Sequence, residues 1–323
     1  MKRIEDKYLY TFKYALKNSF RFHNAVIMVL STLLLAACEK DFDIDIEPNQ
    51  PQLVVEGYIN NQMRQLNYVI LTRSLDYYSP DYQSAPVTGA TVTITEGSLA
   101  GSDSYNWDSS TRLQLFEANL PQVPPNFRQG VYFDPRLITD SANALIGKEG
   151  KYYLLEIETG GQRYSAITTV LKPVAIDSLS SGFSFFDSDD EYKEKARITV
   201  HFQDPDTLGN SQLFYWRNKE NRNNIGWGGM GTSGRNYGVD DLSNGDYLHI
   251  TQNRPFEIGD TVTYHMVSVT RDVYDFWDIF RDARNNEGPF STPVTLLNKI
   301  NGERVTGCFS GFGLSSKSIV VSK

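Results

Sequence analysis

The stretch Lys151–Val170, KYYLLEIETGGQRYSAITTV, decides the fold of this chain. Its first eight residues are mainly aromatic and aliphatic, as is typical of a strand. Gly160 and Gly161 then make a turn signal, and a second strand pattern begins at Tyr164. Two strands joined by a glycine turn predict a β-hairpin, so the chain is expected to build sheets.

Similar strand patterns precede this hairpin. Leu53–Ile59 is a short apolar segment, and apolar residues alternate with threonines over Ala90–Thr95. Alternation with a period of two is typical of a half-buried strand. The spacing of these segments predicts a β-sandwich for residues 51–175. Three glycine-led strand patterns resemble the carboxypeptidase regulatory-like sandwich: Gly57–Ile59, Gly89–Ile94 and Gly150–Ile157.

The second half of the chain, residues 176–323, has the same strand character with one exception. Ala196–Gln203 alternates cleanly, with its even-numbered residues apolar. Near Asp272, however, apolar side chains follow the helical spacing i, i+3, i+4 and i+7. These residues are Val273, Phe276, Trp277 and Phe280. We therefore expect an all-β protein with two β-sandwich-like domains and one short helix in the second.

The first 37 residues have the features of a secretory leader. Six basic residues precede a largely apolar run that extends from Val26 to Ala37. A hydrocarbon core needs about 20 residues, so this run indicates a signal peptide and not a permanent span. It ends in Leu35-Ala36-Ala37-Cys38, which resembles the bacterial lipoprotein signal. That resemblance implies that residues 1–37 are removed and that Cys38 is acylated, for example with palmitate.

An acidic segment, residues 38–50, follows and is expected to be a flexible tether. Its residues Lys40, Asp41 and Asp43 resemble the export tag that sends lipoproteins of Bacteroidota to the cell surface. A solvated spacer is the other interpretation, since acidic residues are common in such segments. The predicted location is the outer membrane, with the lipid-anchored protein facing the cell exterior.

The charge of the chain argues against two classes of partner. Without the leader, 25 of 31 basic and 37 of 39 acidic residues remain, a formal charge of −12. Nucleic acids and anionic membrane surfaces select clustered Lys and Arg, so neither is expected to be recognised directly. Cys308 would be the remaining thiol after lipidation of Cys38, and its expected role is that of a small buried residue.

Two segments are candidates for binding. Trp227 stands in the glycine-rich segment Gly226–Gly231; exposed, it would stack on a sugar or a peptide, and otherwise it would pack inward. This segment matches the dinucleotide-binding glycine pattern only in its letters, because the expected strand and helix are missing. Residues 120–135 contain four prolines and predict a long loop, either a partner surface or an insertion without function.

Catalytic and metal-binding patterns are missing from the sequence. The three histidines of the mature chain fall on separate predicted strands without metal-ligand spacing: His201, His249 and His265. The acidic runs at 187–191 and 204–209 lack the ligand spacing of a calcium loop. We expect no enzyme, no cofactor and no metal, although a pair of glycosidase carboxylates is a three-dimensional feature that sequence does not reveal.

An ordered set of short motifs spans nearly all of the mature chain. The motifs are Leu53–Gly57, Ile176–Ser178, Phe202–Asn210, Tyr274–Phe276, Gly288–Pro293 and Gly311–Phe312. With the lipoprotein signal, they resemble a lipoprotein family of Bacteroidota called domain of unknown function 4249. One departure is Lys299–Gly302, where the glycine-rich run of the family is altered.

This resemblance implies a non-catalytic outer-membrane lipoprotein that is an accessory subunit of a TonB-dependent, SusC-like transporter. Nutrient capture and receptor assembly are the two roles expected for it. The alternative is a free-standing surface lipoprotein that binds a glycan or a peptide, with Trp227 as the contact residue. A surface hydrolase with an unrecognised carboxylate pair is a third interpretation.

Overall fold

A computed structural model describes most of the chain after the predicted tether. The described residues are 50–75, 84–102, 104–119, 128–187, 193–206, 211–224, 226–232, 244–285 and 296–323. Cys38, Lys40, Asp41 and Asp43 lie outside these ranges, as do Gly288–Pro293 and most of the acidic run 187–191. The assignments made for these residues therefore stay predictions from sequence.

The described residues are mostly β-strand, which confirms the predicted all-β class. The strands are β1 (Leu53–Asn60), β2 (Tyr68–Arg73), β3 (Thr91–Leu99), β4 (Tyr105–Trp107), β5 (Leu113–Glu117), β6 (Val131–Phe133), β7 (Tyr152–Thr159), β8 (Gln162–Thr169), β9 (Ser178–Asp187), β10 (Lys193–Gln203), β11 (Ser211–Arg217), β12 (Gly231–Thr232), β13 (Tyr247–Glu257), β14 (Thr261–Val269) and β15 (Val305–Val320). The helices are α1 (Arg136–Thr139) and α2 (Arg271–Asn285). Helix α2 is the helix predicted near Asp272, whereas the single turn α1 was not predicted.

Most strands join one large sheet. Its order is β12-β11-β14-β15-β1-β2-β6-β5-β3-β7-β8, with β4 paired to β3, and a second sheet has the order β13-β10-β9. The hairpin predicted from Lys151–Val170 is β7–β8. Its turn residues Gly160 and Gly161 have φ values of +58° and +76°, a conformation that favours glycine at both positions.

Strand β15 connects the two halves of the chain within this sheet. Its first half pairs in parallel with β1, from Leu53 opposite Val305 to Asn60 opposite Phe312. Its second half pairs antiparallel with β14, ending with Thr261 opposite Val320. The first and second halves of this 16-residue strand therefore pair with different strands.

Three buried clusters make up the core. The first packs the strands of the first half together with Ile300, Val305 and Phe309 from the end of the chain. The third packs residues from Val174 to Val321, and the second joins side chains of both halves. Residues 49–323 form one compact unit. The large sheet and all three clusters therefore take residues from both sides of the boundary predicted between residues 175 and 176.

The proline-containing segment 120–135 differs from its prediction in one part. Residues 131–133 form β6, which lies between β2 and β5 within the large sheet. The prediction of an uninterrupted loop was wrong there, because the prolines flank these three residues and leave their backbone N–H groups free to pair. Residues 120–127 lie outside the described part of the chain.

Residues 170–177 cross between the halves as an extended segment against β14 and β15. The backbone N–H of Val174 donates to Ser268 Oγ at 3.0 Å, and that of Ile176 donates to Ser315 Oγ at 2.9 Å. A Cβ atom on Gly313 would overlap the Leu171 carbonyl oxygen, and one on Gly311 would overlap that of Thr169 at the end of β8, so β15 needs glycine at both approaches. Within the described ranges, no helix has the length and apolar character needed to span a membrane.

Candidate functional site: an aromatic cavity beside helix α2

A cavity of about 270 Å³ lies where β1, β11, the segment 227–232 and helix α2 meet. Six aromatic side chains contribute to its lining: Tyr58, Phe214, Tyr215, Trp227, Trp277 and Phe280. Two charged side chains also line it, Glu56 from β1 and Arg281 from α2. We call this space the aromatic cavity.

Strand alternation places Glu56 in the cavity. Leu53, Val55 and Ile59 point from β1 into the first hydrophobic cluster. Side chains at even-numbered positions therefore point to the opposite face of the sheet. Tyr58 is buried there in the second cluster, and its hydroxyl donates a 2.5 Å hydrogen bond to Glu56 Oε1.

The aromatic rings form one connected set of contacts. Tyr58 stacks on Trp277 with ring centroids 5.7 Å apart and an angle of 13° between the rings. The Trp277 indole N–H donates to Ser310 Oγ at 2.9 Å, which joins α2 to β15. Offset stacks and edge contacts between aromatic rings add stability beyond the burial of area. The cavity wall is therefore preorganised before any ligand arrives.

Trp227 is part of this wall and is not an exposed platform. Its side chain is 2% exposed, and its indole N–H donates to the Leu66 carbonyl oxygen at 3.1 Å. Its ring meets Phe312 edge to face at 4.8 Å. These contacts correct the interpretation in which Trp227 is exposed and stacks on a sugar or a peptide. The inward-packing alternative is the one observed, because a buried hydrogen-bond acceptor and an aromatic neighbour are both available.

The glycines around Trp227 have a packing explanation. Gly226 has φ +77°, and a Cβ atom there would lie 2.8 Å from the Tyr68 hydroxyl oxygen. That hydroxyl accepts a 2.9 Å hydrogen bond from the Trp227 backbone N–H. A single 3-10 turn, Trp227–Gly229, follows, and then the short strand β12. The arrangement differs from the strand-turn-helix of a dinucleotide site.

The electrostatics of the cavity are set by a carboxylate in apolar surroundings. Burial raises the pKa of Glu56, and the hydrogen bond from Tyr58 partly opposes this shift. Burial raises the pKa of Tyr58 well above its usual value, so its hydroxyl stays protonated and donates. Arg281 is paired with Asp278 one turn earlier on α2. In the described part of the chain, no cation forms an ion pair with Glu56.

A second cavity near β5 and α1 is lined by four cations. Three of them form ion pairs within the protein, and the fourth, Arg64, donates to the Ala144 carbonyl oxygen. Arg112 lies 2.6 Å from Glu156, Arg136 lies 2.8 Å from Asp134 and Lys148 lies 2.9 Å from Glu96. Glu56 in the aromatic cavity has no such internal partner. This contrast makes the aromatic cavity the stronger candidate site.

Two of the three histidines that were expected on separate strands are in contact in the structure. His201 on β10 and His249 on β13 face each other with their Nδ1 atoms 2.6 Å apart. They are 48 positions apart in sequence, so residue spacing could not show this contact. Among the described residues, no group of three or more potential metal ligands is present.

Cys308 has the buried role that was expected of it. Its side chain is 1% exposed, and burial raises the pKa of its thiol to about 12. A thiol with so high a pKa is a poor nucleophile at neutral pH. Cys308 lies in the second cluster beside the aromatic cavity but does not line it.

Sequence reasoning missed the two charged residues of the aromatic cavity. In the sequence, Glu56 stands out only as a member of the motif Leu53–Gly57, although a carboxylate inside an apolar strand is itself unusual. Arg281 follows the apolar face of α2 by one residue and looks like an ordinary surface position. Their proximity to one cavity depends on the pairing of β1 with β15, which no local pattern encodes.

Comparison with known proteins places the chain in a family. No curated protein matches it. The sequence model of the family described as Domain of unknown function (DUF4249) matches residues 39–318, which is nearly the whole chain after Cys38. The chain therefore belongs to this family of unknown function.

Proposed function

We propose that this protein is a non-catalytic, lipid-anchored protein of the outer membrane that captures a small ligand in the aromatic cavity. In this proposal it serves as an accessory subunit of a TonB-dependent, SusC-like transporter. The observation that carries the proposal is the position of the lipoprotein-type motif Leu35–Cys38. It ends immediately before residue 39, where the match to the family begins.

Acylation at Cys38 and the length of the segment that follows it are both consistent with attachment to a membrane. Bacterial lipoproteins carry more than one acyl chain, and two membrane signals are needed for stable anchoring. A tether of residues 38–50 spans at most about 45 Å when fully extended. The aromatic cavity would then stay close to the membrane surface and within reach of a barrel protein in the same membrane.

Capture is favoured over hydrolysis by the composition of the cavity lining. Glu56 is the single carboxylate among the described residues that line it. Glycoside hydrolysis generally uses two carboxylates that flank the scissile bond. An aromatic wall with one charged group is instead typical of small-molecule binding sites.

Affinity purification from the native bacterium tests the proposed partnership. Tagged protein is recovered from outer membranes in mild detergent, and the chains bound to it are identified by mass spectrometry. We expect a large β-barrel receptor in near-equal amount. Recovery of this chain alone, lipidated and folded, contradicts the transporter role and favours the free-standing surface lipoprotein that binds a glycan or a peptide.

A matched variant tests the anchor separately. Cys38→Ala removes the acylated thiol and leaves the described fold untouched, because residue 38 lies ahead of it. We expect the variant to lose incorporation of a labelled palmitate analogue and to leave the membrane fraction. Unchanged labelling and membrane association would contradict the assignment of Cys38 as the lipidated residue.

A further inference from the structure

We propose that the aromatic cavity recognises a ligand that bears a protonated amine, with the ammonium group at Glu56 and the apolar part of the ligand against the aromatic wall. The inference rests on the capture role proposed above and names the chemical class of the captured ligand. It follows from the charge of the cavity, the chemistry of its wall and the position of Arg281.

The first step is that the negative charge of the Glu56 carboxylate is only partly compensated within the protein. Its carboxylate accepts one hydrogen bond from the Tyr58 hydroxyl and forms no ion pair with any described cation. A carboxylate in apolar surroundings is costly unless it is paired and hydrogen-bonded. It also has lone pairs in excess of the one that Tyr58 uses. A ligand ammonium group would supply both the missing charge and further donors.

The second step is the chemistry of the wall around that carboxylate. Aromatic rings attract cations through the negative potential of their faces, most strongly in the case of Trp. Tyr58, which holds Glu56, is also stacked on Trp277 and lies 6.0 Å from Trp227 by ring centroids. One rigid set of rings therefore adjoins the carboxylate. Both features of the cavity favour a cation over an anion.

The third step concerns Arg281, which would repel a ligand cation if its charge were uncompensated. Arg281 is paired with Asp278 on the same helix. It also lies on α2, whereas Glu56 lies on β1, and no ion pair joins the two side chains. The local charge at α2 is therefore balanced, and the carboxylate of Glu56 remains the group without an opposite charge.

Three probes that share one apolar body and differ in charge test the proposal. They are phenethylammonium, 2-phenylethanol and 3-phenylpropanoate, each titrated calorimetrically into the lipidated chain in mild detergent. We expect phenethylammonium to bind roughly tenfold or more tightly than the alcohol and the anion to bind least. Because Trp227 and Trp277 belong to the wall, a change in tryptophan fluorescence should accompany binding.

A pair of matched variants locates the charge that selects the probe. Glu56→Gln keeps an oxygen that accepts from Tyr58 but removes the negative charge, and Glu303→Gln makes the same change at an exposed position. We expect Glu56→Gln to reduce phenethylammonium binding to the level of the alcohol. Glu303→Gln should bind like the unchanged chain. Thermal unfolding of both variants shows whether each remains folded.

Several results would overturn the inference. These are equal affinity for phenethylammonium and the alcohol, preference for the anion, no saturable binding of the ammonium probe, or full binding by a folded Glu56→Gln variant. None of them bears on the recovery of a barrel receptor or on the labelling of Cys38. The failure of the ligand class is therefore distinguishable from the failure of the proposed function.

Discussion

His265 is a buried imidazole whose neutral form the fold requires. It lies directly opposite Tyr215 on the neighbouring strand, is 6% exposed, and its Nδ1 is 2.8 Å from Ser316 Oγ. Its Nε2 has no hydrogen-bond partner among the described residues. Burial, with a smaller contribution from the charge of Arg217, lowers the pKa of His265 from 6.5 to about 4.

This shift predicts a loss of stability in mild acid. Between pH 6.5 and about 4, the unfolded chain binds a proton at this residue and the folded chain does not. The free energy of unfolding should therefore fall as the pH drops through this window, by up to about 3 kcal/mol from this group alone. Chemical denaturation at several pH values should show a shallower acid slope for His265→Gln.

The control for the His265 prediction is His249→Gln, which removes a histidine from an exposed position. Most of the acid slope should remain in this variant, because the buried His265 is still present. Equal slopes for His265→Gln and the unchanged chain would show that the acid transition arises elsewhere.

At the scale of elements, the packing of the end of β8 against β15 depends on the absence of a side chain at Gly311. The carbonyl oxygen of Thr169 occupies the space that a Cβ atom would need. Backbone atoms are harder to displace than the end of a flexible side chain. We therefore expect Gly311→Ala to lower the free energy of unfolding by about 2–3 kcal/mol in urea denaturation.

Gly182 provides the matched control within strand β9. An added Cβ atom there meets nothing within 4 Å. Because alanine restricts the unfolded chain more than glycine does, Gly182→Ala should be neutral or stabilising by about 0.5–1 kcal/mol. Comparable destabilisation by both variants would contradict the close approach of Thr169 to β15.

At the scale of the whole molecule, the first half should not fold without the end of the chain. Its core includes Ile300, Val305 and Phe309, and β1 has β15 as one of its two neighbours. A fragment of residues 50–175 would expose both the core surface and the free side of β1. We expect it to lack a cooperative thermal transition by circular dichroism and to show poorly dispersed amide signals.

Adding a separate peptide of residues 296–323 to that fragment tests whether the end of the chain restores its folding. It supplies the three missing core residues and the strand that pairs with β1. Partial recovery of dispersed signals is the expected result. A cooperative transition in the fragment alone would establish residues 50–175 as an independent domain.

Local patterns predicted local structure well in this chain. The hairpin β7–β8 follows from Gly160 and Gly161, and α2 follows from the spacing of four apolar residues, because both depend on neighbours in sequence. The parallel pairing of β1 with β15 is a contact between distant segments, and it produces no periodic pattern in the amino-acid sequence. The placement of Glu56 in a cavity depends on that pairing, so sequence reasoning did not predict it. For Trp227 the sequence left both exposure and inward packing open.

The parallel ladder between β1 and β15 also constrains the order of folding. Its partners are among the first and the last described residues, since Leu53 pairs with Val305. Contacts so far apart in sequence form slowly, because loop closure precedes the favourable pairing. A chain that becomes available N-terminus first must therefore leave one edge of β1 open until residue 305 and its neighbours follow. The centre of the sheet closes late, and until then β1 is an edge strand that chaperones would have to shield from other chains.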